Sequence, residues 1–200
     1  MFAPAFSYFD FVLDTSPRQN ANKFAFAFGL FVFLSSIAAV FTRYGDCLSH
    51  KTFCGTFGGE LHAAASLRER VFYLEQHVTT LDADEKDPFS LFLWAECEGQ
   101  TVGFLRMIPR GIAYAEPSIG RVCVARTYRR RGICREMVSR AIGYMVREWR
   151  AEAIRISAQS YLIPFYESFG FEVVSDEYLE AGIPHKKMLI RLDREHGREA

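Results

Sequence analysis

Residues 51–193 predict an α/β fold, and three local patterns carry that prediction. Two β-rich runs, Ser90–Cys97 and Thr101–Ile108, flank Glu98-Gly99-Gln100, which is a hairpin signal. Ser118–Ala125 reads as a strand that leads through an arginine-packed turn into a helix over Gly132–Trp149. That helix repeats its apolar residues by fours: Ile133, Met137, Ala141, Met145 and Trp149.

The remaining elements follow in order. Glu60–Val71 reads as a helix with Leu61, Ala64, Ala65, Leu67 and Val71 on one side. An acidic loop, Asp82–Asp87, is closed by Pro88. Beyond the long helix come a strand at Ala153–Ala158, a short helix at Tyr161–Phe169, and strands at Phe171–Val174 and Lys187–Leu192. Residues 194–200 read as a polar tail.

Residues 1–50 differ in kind. Ten phenylalanines fall between Phe2 and Phe41, and the nineteen residues Phe24–Thr42 carry no charge. Such a length can span a bilayer. Four readings stay open: a membrane anchor, a signal peptide, a helix packed on the domain or a partner, and a gene start placed too far upstream. Asp10 and Asp14 make the flank atypical for a signal peptide.

Composition narrows the function. Of 200 residues, 50% are hydrophobic and 24% charged, the profile of a folded chain with a core. Net charge is zero, so no global field recruits nucleic acid. Cys47, Cys54, Cys97, Cys123 and Cys134 are odd in number and form no Cys-x-x-Cys pair, which points to a reducing compartment. The five histidines lack metal-ligand spacing, and no metal is expected.

The chemistry concentrates at Arg126–Arg135, where five arginines surround Gly132 at the start of a helix. A strand, a basic turn, a glycine and a helix aim backbone N–H groups and the positive helix end at one spot, which suits a diphosphate. An exposed basic turn and a nucleic-acid patch are the plainer readings. The latter lacks the interleaved aromatics that stack bases.

Arg129-Arg130-Arg131-Gly132-Ile133-Cys134 resembles the Arg/Gln-x-x-Gly-x-Gly/Ala signature of the GNAT acetyltransferases. Leu67–Gln76 is similar to the opening block of the ElaA-like subfamily. Ile119-Gly120-Arg121-Val122, Ala158-Gln159, Phe165–Phe171 and Gly182-Ile183-Pro184-His185 match later blocks in order, so the likeness covers about residues 51–192. It implies a mixed, mostly antiparallel sheet that splays to admit acetyl-CoA, and direct transfer of the acetyl group to an amine. It also implies pantetheine contacts along Val122, Cys123 and Val124, and pyrophosphate contacts from Arg129, Arg130, Arg131, Gly132, Ile133 and Cys134. Gln159 joins this acetyl-CoA set.

By the same resemblance, Tyr166 would protonate the departing thiolate, although Phe165, Phe169 and Phe171 also allow a purely packing role. Glu75, Glu116 and His185 are candidates for the general base, and a water chain is another. Glu75 could instead pair with Arg121, and His185 could simply order the C-terminal turn. Asp82 and Asp84 could bind a cationic substrate. Three positions depart from the family pattern: Cys134 stands where Gly or Ala is usual, a small side chain that leaves binding in place with some crowding at the pyrophosphate, Ala181 replaces an acid, and Ser90–Phe92 lacks a histidine.

The expectation is an acetyl-CoA-dependent N-acetyltransferase acting on a small-molecule or protein amine. The alternative is a non-catalytic acyl-CoA-binding or sensor module. Use of acetyl-CoA implies a cytoplasmic domain, or one anchored through residues 24–42 and facing the cytoplasm.

Overall fold

The computed structural model describes residues 48–52 and 58–192, and the hydrophobic segment 24–42 lies outside them. Among the described residues, no helix is long and apolar enough to cross a membrane. Among the described residues, eight strands form one sheet: β1 (Leu48–Thr52), β2 (Leu91–Cys97), β3 (Gln100–Ile108), β4 (Ser118–Val124), β5 (Ala153–Gln159), β6 (Glu172–Val173), β7 (Tyr178–Glu180) and β8 (Ile183–Arg191). Their order is β1-β2-β3-β4-β5-β8-β6, with β7 also on β8. The helices are α1 (Gly58–Glu69), which runs on into a π-helical turn at Arg70–Glu75, α2 (Ile133–Glu148) and α3 (Ile163–Glu167). The fold is thus the α/β arrangement that the residue pattern predicts, with the mixed, mostly antiparallel sheet that the resemblance implies.

Burial explains the strand patterns. In β2 five consecutive residues are buried because both faces are covered. Leu91, Leu93 and Ala95 join Met137, Ala141 and Met145 of α2 in one core, while Phe92 and Trp94 join Leu67 and Val71 in a second. Strand β5 alternates instead: Ile154, Ile156 and Ala158 are buried and Arg155, Ser157 and Gln159 are partly exposed. The helix α2 buries the stripe Met137, Val138, Ala141 and Met145, which follows its spacing by fours.

Two hairpins share one turn chemistry. Glu98 (φ 52°) and Gly99 (φ 74°) join β2 to β3, and Ala181 (φ 51°) and Gly182 (φ 78°) join β7 to β8. Two consecutive left-handed residues match the right-handed twist of the flanking strands. Strand β1 begins at Leu48 and pairs with β2 through Thr52, across the division near residue 50 expected from composition. Neither β1 nor β7 is anticipated by the periodicity.

One junction positions the site. Strands β4 and β5 run parallel and pair at Ser118↔Arg155, with Arg155 N–H bonding Pro117 O at 3.0 Å. Every other junction in the sheet is antiparallel. Beyond Ser118 no further β4–β5 pair forms, and the two strands part.

Candidate active site

The parted strands open into a cavity of about 470 Å³. Gly120 and Val122 of β4 line one wall, and Ser157, Ala158 and Gln159 of β5 line the other. Leaving strand edges unpaired costs hydrogen bonds, so a gap here leaves backbone groups for an extended ligand.

A bulge shapes the β4 wall. Gly120 pairs with Arg106 and Cys123 with Phe104, so Arg121 and Val122 together face Leu105. Arg121 takes a left-handed φ of 53°, which costs a non-glycine residue about 1 kcal/mol. Its side chain is held by Asp82 at 2.8 Å, by the Asp82 carbonyl at 3.1 Å and by Asp84 at 3.4 Å. Bulges of this type re-aim a strand, and this one turns at Val122, inside the cavity lining.

Asp82 and Asp84 therefore do not offer free carboxylates to a cationic substrate. Arg68 bonds Asp82 at 2.6 Å and Asp87 at 3.1 Å, and Arg106 bonds both Asp84 and Asp87. Burial would raise the Asp84 carboxyl, but the Arg106 hydrogen bond and charge, the Lys86 N–H and Arg121 outweigh it and hold it at about 2. Three arginines and three aspartates thus lock the acidic loop onto α1, β3 and β4. Sequence offers no local signal for this network, since Arg68 and Asp87 lie nineteen positions apart.

The basic turn has the geometry that an anion needs. Arg130 (φ 62°) and Gly132 (φ 82°) are both left-handed, and α2 starts at Ile133 with no side-chain cap. The first helical bond runs from Glu136 N to Gly132 O at 3.0 Å, so the N–H groups of Ile133, Cys134 and Arg135 precede any helical acceptor. A Cβ at Gly132 would meet nothing within 4 Å. Left-handed turns of this kind form concave anion sites. The residues present therefore fit a diphosphate held by the backbone.

The arginine side chains have other tasks. Arg129 bonds the Val124 carbonyl at 2.9 Å and Glu75 at 2.6 Å. Arg131 stacks on Tyr128, and Arg135 on Phe165 and Phe169. Glu75 thus pairs with Arg129 rather than with Arg121, and it is absent from the cavity lining. Cys134 also departs from expectation. Its side chain packs toward the main core, and burial pushes its thiol up to about 11. It adds a little to the raised proton affinity of the nearby Tyr166 phenol, and it does not line the cavity.

Of the four proposed acid–base residues, the structure brings Tyr166 and His185 to the cavity. Tyr166 on α3 is 6% exposed, and burial above all pushes its phenol well above the ordinary tyrosine range. His185 on β8 pairs with Gln159 of β5, and its ring stacks on Tyr178. Its Nδ1 lies 2.7 Å from the Ile183 carbonyl. A carbonyl only accepts, so Nδ1 is the donor here, which in the neutral ring leaves the lone pair on Nε2. Glu116 is held by two bonds from Arg155, at 2.9 and 2.7 Å, and the first effect of Arg155 is to hold its carboxyl at about 2. It does not line the cavity.

Among the cofactor-site residues, Val122 and Gln159 line the cavity, whereas Cys123 and Val124 pair with β3 and are buried. Gln159 donates to Gln76 Oε1 at 3.0 Å, tying β5 to the end of the π-helical turn. Among the described residues, no group of three or more His, Cys, Asp or Glu is placed to hold a metal.

Comparison with known proteins agrees with this geometry. Residues 56–192 match the family described as Acetyltransferase (GNAT) domain. The UPF0039 protein sll0451 of Synechocystis is 37% identical over 136 residues, which are 68% of this chain and 88% of that one. Protein ElaA of Escherichia coli is 30% identical over 130 residues, 63% of this chain and 84% of its own; its crystal structure superposes with a TM-score of 0.68 over 72% of this chain and 98% of ElaA. The crystal structure of an acyl-CoA N-acyltransferase from Pseudomonas aeruginosa is 29% identical, with a TM-score of 0.68 over 72% of this chain and 97% of that one. With a family match across most of its length, the chain belongs to the GNAT acetyltransferases and is an acyltransferase that uses acyl-CoA as co-substrate.

Proposed function

We propose that the chain transfers an acetyl group from acetyl-CoA to the nitrogen of an amine. The observation that carries this reading is the convergence of Tyr166, His185 and the open edge of β4 on one cavity. When bound, acetyl-CoA supplies the activated thioester; the remaining work falls to the chain. The turn Arg129–Cys134 holds the pyrophosphate through backbone N–H groups, and Val122 and its neighbours align the pantetheine arm.

His185 Nε2 accepts the proton that the amine nitrogen sheds as the new C–N bond forms. Tyr166 donates its phenolic proton to sulfur as the C–S bond breaks. The products are an acetamide and the CoA thiol, and solvent returns both side chains to their starting states. A buried phenol keeps its proton at neutral pH.

Free CoA released from acetyl-CoA in the presence of a panel of primary amines tests the reading. Amine-dependent release, strongly reduced in Tyr166→Phe, is expected. Tight acetyl-CoA binding with no release for any amine would favour the non-catalytic module instead.

A further inference from the structure

The cavity lining carries one acidic side chain that, among the described residues, has no direct ion pair. Of the carboxylates in the lining, Asp82 and Asp84 are neutralised by arginines. The third is Glu180 on β7. Its Oε2 accepts a 2.7 Å bond from Ser157, whose hydroxyl also lies 2.6 Å from Tyr178 Oη. Among the described residues, no lysine, arginine or histidine nitrogen forms an ion pair with Glu180. Lys187, which pairs with Ser157 across β5 and β8, rests on the rings of Tyr114 and Tyr178, 5.5 and 5.9 Å from their centres.

From this arrangement we infer that the amine substrate carries a second cationic group, which docks on Glu180 between the hydroxyls of Tyr114, Ser157 and Tyr178. The inference rests on the acetyl-transfer reading above and names its substrate class. A carboxylate that faced the reacting amine would hold it protonated and unreactive, so Glu180 suits a distal ammonium better. Lys187 already lies over both rings and Arg155 over Tyr114, so the Glu180 charge and the tyrosine and serine hydroxyls, rather than the ring faces, supply the attraction. The position fits the chemistry: Tyr178 pairs with His185 in the β7–β8 hairpin and stacks on it. A substrate anchored at Glu180 therefore has its other amino group a short chain away from His185. Nearby charge from Glu180 and Tyr178 also adds to the burial that raises the Tyr114 phenol.

Acetyl-CoA turnover measured with 1,4-diaminobutane, butylamine and 4-aminobutyrate tests this in the full chain. The three share a four-carbon spine and differ in the charge at the far end. The inference predicts kcat/KM at least tenfold higher for the diamine than for butylamine, and lowest for the amino acid. In Glu180→Gln the diamine-to-butylamine ratio should fall toward one, chiefly through KM. Calorimetry of 1,4-diaminobutane with CoA present should show binding to the wild type that weakens in Glu180→Gln. Equal kcat/KM for diamine and butylamine, or a ratio unmoved by Glu180→Gln, would overturn the inference while leaving acetyl transfer intact. Absence of turnover with every amine would overturn both.

Discussion

Ser118 of β4 and Arg155 of β5 form the paired position at which two neighbouring parallel strands meet before they part. Arg155 is fixed there from outside the cavity by its two bonds to Glu116. Glu116 is thus better described as a brace at the apex of the cleft than as a base within it. Replacing it with Gln should leave the chemical step intact and loosen the apex. The expected reading is a kcat for acetyl transfer within about threefold of wild type, with a lower melting temperature. A collapse of kcat in a folded Glu116→Gln protein would return it to the list of bases.

Tyr166→Phe removes one oxygen from a packed aromatic cluster that includes Phe165 and Phe171. Loss of a positioned proton donor should lower kcat about 10²–10⁴-fold. The affinity for acetyl-CoA should stay near wild type in calorimetry. Because burial raises this phenol, its ionisation should add no alkaline limb to the rate profile below pH 10. An alkaline limb near pH 8 that vanishes in Tyr166→Phe would contradict that placement.

Arg106 binds two aspartates at once while 3% exposed. Arg106→Met leaves Asp87 buried and Asp84 partly buried beside a lost cation, and the cost expected is about 3 kcal/mol, the lower end for a broken buried pair. Urea unfolding of both proteins measures it. A smaller loss would mean that the two carboxylates protonate or turn to water in the variant.

Acid should find the same network. Asp84 and Glu116 both sit at about 2 in the fold, below the ordinary values of 3.8 and 4.5. A carboxyl depressed by folding adds stability above its ordinary value, and that stability drains away as pH falls toward the folded value. Melting temperature should therefore hold steady at neutral pH and drop between pH 5 and pH 2. Asp84→Asn should be less stable at pH 7 and lose less on acidification. A parallel acid response in that variant would show that other groups carry the effect.

Much of this was legible in the sequence, and the exceptions share a cause. Strands β2 to β5 and helix α2 announce themselves because each buries a long regular face. Strand β7 has three residues and β1 five, too few to show a period. Yet the Ala181-Gly182 turn uses the chemistry of Glu98-Gly99, which was readable, so β7 could have been found from its turn. The backbone anion site at Gly132 was visible because strand, glycine and helix are consecutive. The pairings Glu75–Arg129, Gln76–Gln159 and Ser157–Glu180 were not, since each joins segments far apart in the chain. Long-range polar pairing leaves no periodic mark.

On the proposed reading, the turn before α2 holds the diphosphate of acetyl-CoA through its backbone. Calorimetric titration of acetyl-CoA into the full chain, into Gly132→Ala and into Gly132→Asp tests it most directly. Gly132 has open space around its Cα but a left-handed φ of 82°. Alanine should therefore cost about 1 kcal/mol of stability and keep saturable binding, whereas aspartate sets a carboxylate at the helix N-terminus against the phosphates and should weaken binding at least tenfold more than alanine does. Equal affinity in the two variants would mean that the diphosphate sits elsewhere.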